Sequence, residues 1–291
     1  ILSGLVGSEM CIRDRVHPVA AGRGGGAVPG LVGGGRVGHR NAMSPPQALV
    51  LQDLSLRYRG GDEVIAGITG AFEAGSLTAI IGPNGCGKTT LLRALAGQVQ
   101  PSAGTLTRLY PVRRTAYLPQ LAEAERAFPM TVFDFVALGA WQRTGWWRSL
   151  SGAPAREAHE ALDAVGLGGK AACWIGELSG GQFQRMRFAR LLLQDAPVVL
   201  LDEPLAAVDA QTSEDILCLV SQWHAAGKTV VAVLHDLQQV LRCFPQTLSL
   251  EHAAHGRIRW GATRELLQAT VAAPHGSDLV RSIDSARRRS A

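Results

Sequence analysis

Apolar residues in this chain keep two rhythms. Three short runs are apolar at almost every position: LTAII (77–81), VVLL (198–201) and TVVAVL (229–234). Runs of that length without alternation predict strands of a parallel sheet covered on both faces. Elsewhere apolar positions recur at helical spacing. TLLRALAG follows the first run, and GGQFQRMRFARLLLQ carries Phe183, Met186, Ala189 and Leu193 roughly along one face. TVFDFVALGAW predicts an amphipathic helix with Phe133, Val136 and Ala137 as its buried stripe. RTGWWRSL then reads as a loop, and REAHEALDAVGLGG predicts helix resuming up to Leu178. LLLQDAPVVLL, the best apolar stretch, is broken by Gln194, Asp195 and Pro197, so it falls short of the roughly 18 apolar residues of a spanning helix.

Residues 1–42 keep neither rhythm and hold 11 of the 34 glycines, in runs such as GRGGGAVPGLVGGG. No basic region precedes ILSGLVG, and Glu9, Arg13 and Asp14 follow it closely, which argues against a signal peptide. EMCIRDR (9–15) back-translates to GAGATGTGTATAAGAGACAG plus one base, a string that contains a transposon end used to tag DNA for sequencing. Residues 1–15 are therefore read as translated adapter, residues 16–42 as readthrough, and Met43 as the expected start.

Composition narrows the class further. Hydrophobic content of 46% with 18% charge is ordinary for an α/β protein. Five scattered cysteines without a CxxC argue against a disulfide framework and a structural zinc site, and they suit a reducing compartment. The net charge of +5 sits at the ends: residues 1–42 contribute +3, and Arg287, Arg288 and Arg289 supply three more positives. A balanced body with basic tails predicts no nucleic-acid partner. HAAH (252–255) spaces His252 and His255 at i, i+3, but it has no carboxylate or cysteine nearby and reads as surface histidines.

Chemistry enters directly after the first apolar run. GPNGCGKTT comprises Gly82, Pro83, Asn84, Gly85, Cys86, Gly87, Lys88, Thr89 and Thr90, and it satisfies G-x-x-x-x-G-K-[ST]. Glycines let backbone N–H groups turn inward around phosphate oxygens, and the dipole of the following helix favours the same anion. Lys88 is placed to reach the β- and γ-phosphates of a nucleotide, and the Thr89 hydroxyl to ligate Mg²⁺. VVLLDEP (198–204) ends in two carboxylates: Asp202 suits the Mg²⁺ shell, and Glu203 suits the general base for an attacking water. The third run ends in His235, so phosphate loop, acids and histidine all fall at carboxyl ends of parallel strands, where open α/β sheets bind ligands.

Between these elements lies ELSGGQFQRMRFARLLLQ, with Leu178, Ser179, Gly180, Gly181 and Gln182 as LSGGQ, 24 residues before Asp202. Here the chain resembles the ATP-binding-cassette (ABC) ATPases over essentially all of residues 48–265, with the motifs in family order. The resemblance implies a P-loop NTPase α/β core with a mostly parallel sheet, an N-terminal antiparallel β subdomain and an inserted α-helical subdomain. It places the ATPase domain at 43–270, the helical subdomain at about 121–178 and a tail at 271–291. It further implies that Tyr58 stacks on adenine and that Gln120, in AYLPQ, senses Mg²⁺ and water. Ser179, Gly180 and Gly181 would contact the γ-phosphate held by a second subunit, in a head-to-tail homodimer sandwiching two ATP molecules. His235 would hold the γ-phosphate, and Asp209, in LAAVD, would act across the dimer. Two departures stand out: Cys86 where serine or alanine is commoner, which raises the question of oxidation, and LAAVD where that loop usually holds serine.

Three of the six tryptophans, Trp141, Trp146 and Trp147, lie within seven residues in the expected helical subdomain. Indole makes a large, rigid anchor that donates one hydrogen bond. Trp141 is expected to fill the subdomain core, and Trp146 and Trp147 to dock the membrane subunit. A single cassette resembles the ATPase subunit of a prokaryotic importer, peripheral on the cytoplasmic face of the membrane, with a separate integral permease and a separate solute-binding protein. TVFDFVALGAWQRTGWWRS and VLHDLQQVLRCFP are similar to zinc and manganese importers. Iron-chelate, haem and cobalamin cassettes share much of this pattern, and a non-transport ABC scaffold is the further alternative. DNA-repair and translation relatives carry a coiled-coil insertion or a second cassette. Here only 57 residues separate Gln120 from Leu178, and there is one phosphate loop.

Overall fold

The computed structural model describes residues 46–57, 61–120, 126–144, 152–252 and 257–272. The expected leader 1–42, Tyr58, Trp146 and Trp147, His255 and the tail from residue 273 lie outside them. In chain order the strands are β1 (Gln47–Arg57), β2 (Glu63–Glu73), β3 (Leu77–Ile81), β4 (Ala103–Arg108), β5 (Thr115–Leu118), β6 (Val198–Asp202), β7 (Thr229–Val233), β8 (Gln246–His252) and β9 (Arg257–Ala262). The α-helices are α1 (Lys88–Leu95), α2 (Val132–Ala137), α3 (Trp141–Thr144), α4 (Ala153–Ala164), α5 (Gly180–Gln194), α6 (Ala210–Ala225), α7 (Leu237–Cys243) and α8 (Thr263–Ala272).

The three mostly apolar runs become β3, β6 and β7, buried at every position. They sit in a six-stranded sheet of order β5-β6-β7-β3-β8-β9, parallel from β5 to β8, with β9 antiparallel at the edge. Because side chains alternate across a strand, each run feeds two cores. Ile80, Leu200, Val231 and Val233 pack with Leu91, Leu92 and Leu95 of α1 and with the antiparallel sheet β2-β1-β4. Ala79, Ile81, Leu201 and Ala232 face the helical layer, where Phe183, Met186 and Phe188 of α5 and Trp223 of α6 are buried. Phe188 and Trp223 stack with centroids 5.7 Å apart. The Trp260 ring meets Phe72 at 4.6 Å and joins the edge strand β9 to the antiparallel sheet.

Sheet order decides the site. β7 lies between β6 and β3, so the residue two past β7, His235, emerges between the acids of β6 and the loop after β3. β5 flanks β6 on the other side and delivers Gln120 two residues past its end.

The helical layer departs from its sequence reading in three places. α2 buries Val132, Phe135, Val136 and Ala137, whereas Phe133 is half-buried with its ring 4.8 Å from His159. Helix does not continue to Leu178: α4 stops at Ala164, and Gly166 turns the chain at φ 73°. The segment before α5 pairs instead with the entry to α2, through a Thr131–Trp174 bridge and an Ile175 N–H bond to the Met130 carbonyl. Trp141 does not fill the core; it is 46% exposed.

Candidate active site

The loop after β3 closes onto α1 through Gly87, whose left-handed φ of 99° makes it the N-cap. That turn points the first N–H groups of α1 into the loop, an anion-binding arrangement. Lys88 is 6% exposed, and its Nζ donates to the carbonyls of Gly82 (2.9 Å) and Pro83 (2.8 Å), so its charge is held at the loop mouth. Burial pushes the Cys86 thiol up, against the opposing pull of Lys88; this disfavours the thiolate that oxidation requires.

Thr89 Oγ1 donates to Asp202 Oδ1 at 3.2 Å, and the Tyr117 hydroxyl donates to Asp202 Oδ2 at 3.4 Å. Burial holds the Asp202 carboxyl above its usual range, and the neighbouring Glu203 charge adds to the rise. Glu203 moves the other way. The His235 hydrogen bond lowers its pKa, as do the charges of His235 and Lys88 and the Gln120 hydrogen bond, against a partial opposing effect of burial. Its two oxygens are both engaged: Oε1 lies 2.8 Å from His235 Nε2, and Oε2 accepts from Gln120 Nε2 at 3.1 Å. Glu203 also takes φ 49°, a left-handed conformation that costs a non-glycine residue about 1–2 kcal/mol. Gln120, Glu203 and His235 therefore form one contact cluster beside the phosphate loop.

LSGGQ opens α5. Ser179 Oγ accepts from Gln182 N (3.3 Å) while Gln182 Oε1 accepts from Ser179 N (3.1 Å), a reciprocal cap that satisfies two orphan donors. Gly181 is needed for close approach, since a Cβ there would lie 2.8 Å from Thr212 Oγ1 and 3.1 Å from Asp209 Oδ2. Asp209 caps α6, accepting from Thr212 N (2.8 Å) and Thr212 Oγ1 (2.9 Å). These bonds hold its fully exposed carboxyl below the usual range. Ala207 takes φ 57° in the same loop. Leu178 is buried, and its carbonyl accepts from Arg126 Nη2 at 3.2 Å.

Three participants escaped the sequence reading. Tyr117 sits inside the quoted AYLPQ, but nothing in the spacing points its hydroxyl at Asp202. Gln184 and Arg187 lie in α5, the signature helix that LSGGQ opens, and are 4% and 3% exposed, although their residue types indicate a solvated face. No group of three or more His, Cys, Asp or Glu among the described residues has metal-ligand geometry. The Thr89–Asp202 pair still offers two hard oxygens at the phosphate loop, a donor set that fits Mg²⁺ completed by water and phosphate. No helix among the described residues is long and apolar enough to cross a membrane.

A phosphate loop on β3, acids on β6 and a serine-capped signature helix define a nucleotide-hydrolysing cassette. The ABC transporter family model matches residues 65–206, and the chain belongs to that family as an ATP-binding, ATP-hydrolysing subunit. It is 38% identical over 229 residues to the zinc transport system ATP-binding protein TroB of Treponema pallidum, covering 76% of this chain and 85% of TroB. It is 36% identical over 225 residues to the manganese transport system ATP-binding protein MntB of Listeria monocytogenes, covering 75% of this chain and 93% of MntB. The fold is shared with a nucleotide-free ATP-binding cassette of an ABC transporter, with a TM-score of 0.70 at 22% identity over 80% of this chain and 98% of that one.

Proposed function

We propose that this chain hydrolyses ATP to drive import of zinc or manganese through a separate membrane permease, acting as a head-to-tail pair on the cytoplasmic face. The Gln120–Glu203–His235 cluster at the sheet end supports the hydrolytic reading. Similarity to zinc and manganese cassettes supports the cargo. In this scheme the phosphate loop and Lys88 bind the β- and γ-phosphates. Glu203 is ionised at neutral pH, as a carboxylate whose pKa is not raised must be, and its hydrogen bonds to His235 and Gln120 aim it, so it can accept the proton of a water attacking the γ-phosphoryl group. His235 and Gln120 orient that carboxylate, and on ATP binding His235 turns to the γ-phosphate. Thr89, Asp202 and Gln120 would hold Mg²⁺, which would supply neutralisation of charge on the phosphates. Tyr58 stacks on adenine, Ser179 to Gly181 meet the ATP of the second subunit, and Asp209 acts across the pair. Trp146 and Trp147 dock the permease, and a separate solute-binding protein supplies the metal.

The test is metal uptake in cells lacking the gene, complemented with wild type or Glu203→Gln. Loss of zinc or manganese uptake, restored by wild type alone, is the expected result. Normal uptake of both metals in the deletion strain overturns the cargo assignment. Restoration by Glu203→Gln overturns the role of the base.

A further inference from the structure

Outside the catalytic cluster, α5 buries two polar side chains with no catalytic assignment. Gln184 and Arg187 sit one turn apart, facing the carboxyl end of the sheet. Arg187 Nη1 donates to Gln184 Oε1 at 3.1 Å, which orients the amide so that Gln184 Nε2 donates to the Pro204 carbonyl at 2.7 Å. Arg187 Nη2 donates to the Pro119 carbonyl at 2.5 Å. Pro119 immediately precedes Gln120, and Pro204 immediately follows Glu203. The Gln120–Glu203 hydrogen bond closes the loop of contacts. The helix that opens with LSGGQ thus grips, by two side chains, the backbone on either side of the pair expected to handle water.

Burying a guanidinium carries a desolvation penalty, so its hydrogen-bond geometry has to compensate. Here the planar fork serves two acceptors on different segments, a task a lysine point charge performs poorly. Glu203 also holds a left-handed φ, a conformation that persists where the surroundings over-determine it, and the Gln184 bond fixes the carbonyl of the residue that follows it.

We infer that Gln184 and Arg187 form a positioning bracket that sets the Gln120-to-Glu203 distance from the placement of the signature helix, so that any displacement of α5 reaches both groups together. Arg187 touches no reacting atom in this scheme and is a positioning residue. The inference rests on the hydrolytic roles proposed above for Gln120 and Glu203.

The experiment is a double-mutant cycle on the full chain with its permease, using Arg187→Met, Gln120→Ala and the double variant. Readouts are kcat, KM for ATP, the Mg²⁺ concentration for half-maximal rate, and thermal midpoint. A misplacement of about 1 Å at a reacting centre costs up to about 100-fold, so Arg187→Met is expected to lower kcat at least tenfold. KM should stay within about twofold, and the Mg²⁺ requirement should rise as it does in Gln120→Ala. The double variant should be no slower than the slower single, because both act on one element. Multiplying losses, with an unchanged Mg²⁺ requirement in Arg187→Met, overturn the bracket and leave a stability role. Should Met at 187 not fold, Arg187→Lys keeps the charge but cannot span both acceptors; it is expected to reproduce the kcat loss, and wild-type kcat overturns the proposal. Unchanged rates in Gln120→Ala and Glu203→Gln would instead overturn the hydrolytic reading, a result separable from failure of Arg187 alone.

Discussion

The sheet end and the helical layer meet at the same site but are built by different means. Strands β3, β6 and β7 are buried at every position and mostly apolar, and their in-register parallel pairing brings Ile80 beside Val233 and Asp202 beside Val233. Backbone geometry alone then aligns the phosphate loop, the acids and His235. The layer of α2, α4 and α5 has no such ladder. α2 has six residues and is too short to be stable by itself, so it depends on packing against α5. The lesson is that groups needing fixed positions emerge from the sheet, whereas those that adjust them, Gln184 and Arg187, come from the layer held by side chains.

The largest test of this contrast is at the loop. Lys88→Ala removes a buried cation whose hydrogen bonds go to the carbonyls of Gly82 and Pro83 in its own loop, and truncating a buried, hydrogen-bonded charge costs about 2–5 kcal/mol. Calorimetric titration should therefore find ATP affinity reduced by roughly 30-fold or more, with the thermal midpoint of the unliganded protein little changed. A large fall in that midpoint would mean the loop is held by Lys88 and not by the sheet.

A comparable effect of another kind is expected in the layer. Phe183 is fully buried, 6.3 Å from the Phe135 ring, and Arg126 lies over its face. Phe183→Ala should lower unfolding stability by about 3–5 kcal/mol in denaturant titration. Because the layer is bound by side chains, exchange of its amides should rise well before those of β3 and β6. Uniform exchange across both regions would erase the distinction.

The smallest effect sharpens the contrast within the sheet end itself. The folded-state pKa of Glu203 is depressed, so its contribution is present above the unfolded value near 4.5 and is lost as pH falls through the folded value. Glu203→Gln should therefore lower the thermal midpoint of unliganded protein at pH 7 and converge with wild type in acid. Asp202 has its pKa raised by burial, so its ionised form opposes folding once pH exceeds the unfolded value of 3.8. Asp202→Asn should raise the midpoint at pH 7, with the gain vanishing below pH 3.8. Shifts of the same sign in the two variants would show that burial does not separate these adjacent carboxylates.

How much of this was legible depends on how far apart the partners lie. Strands 77–81 and 198–202, the phosphate loop and the signature helix were readable because each rests on a period or a spacing within about 15 residues. The Ser179–Gln182 cap is a local S-x-x-Q pattern of the same kind. The end of α4 was misjudged although Gly166, Gly168 and Gly169 stood in the sequence, because the amphipathic period outweighed the breakers. The exposure of Trp141 was misjudged because an indole is equally at home in a core and at a surface. The meeting of Thr89 with Asp202 spans 113 residues, that of Gln120 with Glu203 spans 83, and that of His235 with Glu203 spans 32. Local pattern determines which residues stand at strand ends, since burial on both faces leaves few alternatives for such apolar runs. Which ends become neighbours, and that a buried Gln184–Arg187 pair bonds two of them, follows from strand order and long-range packing, whose energies arise only when the whole sheet has assembled.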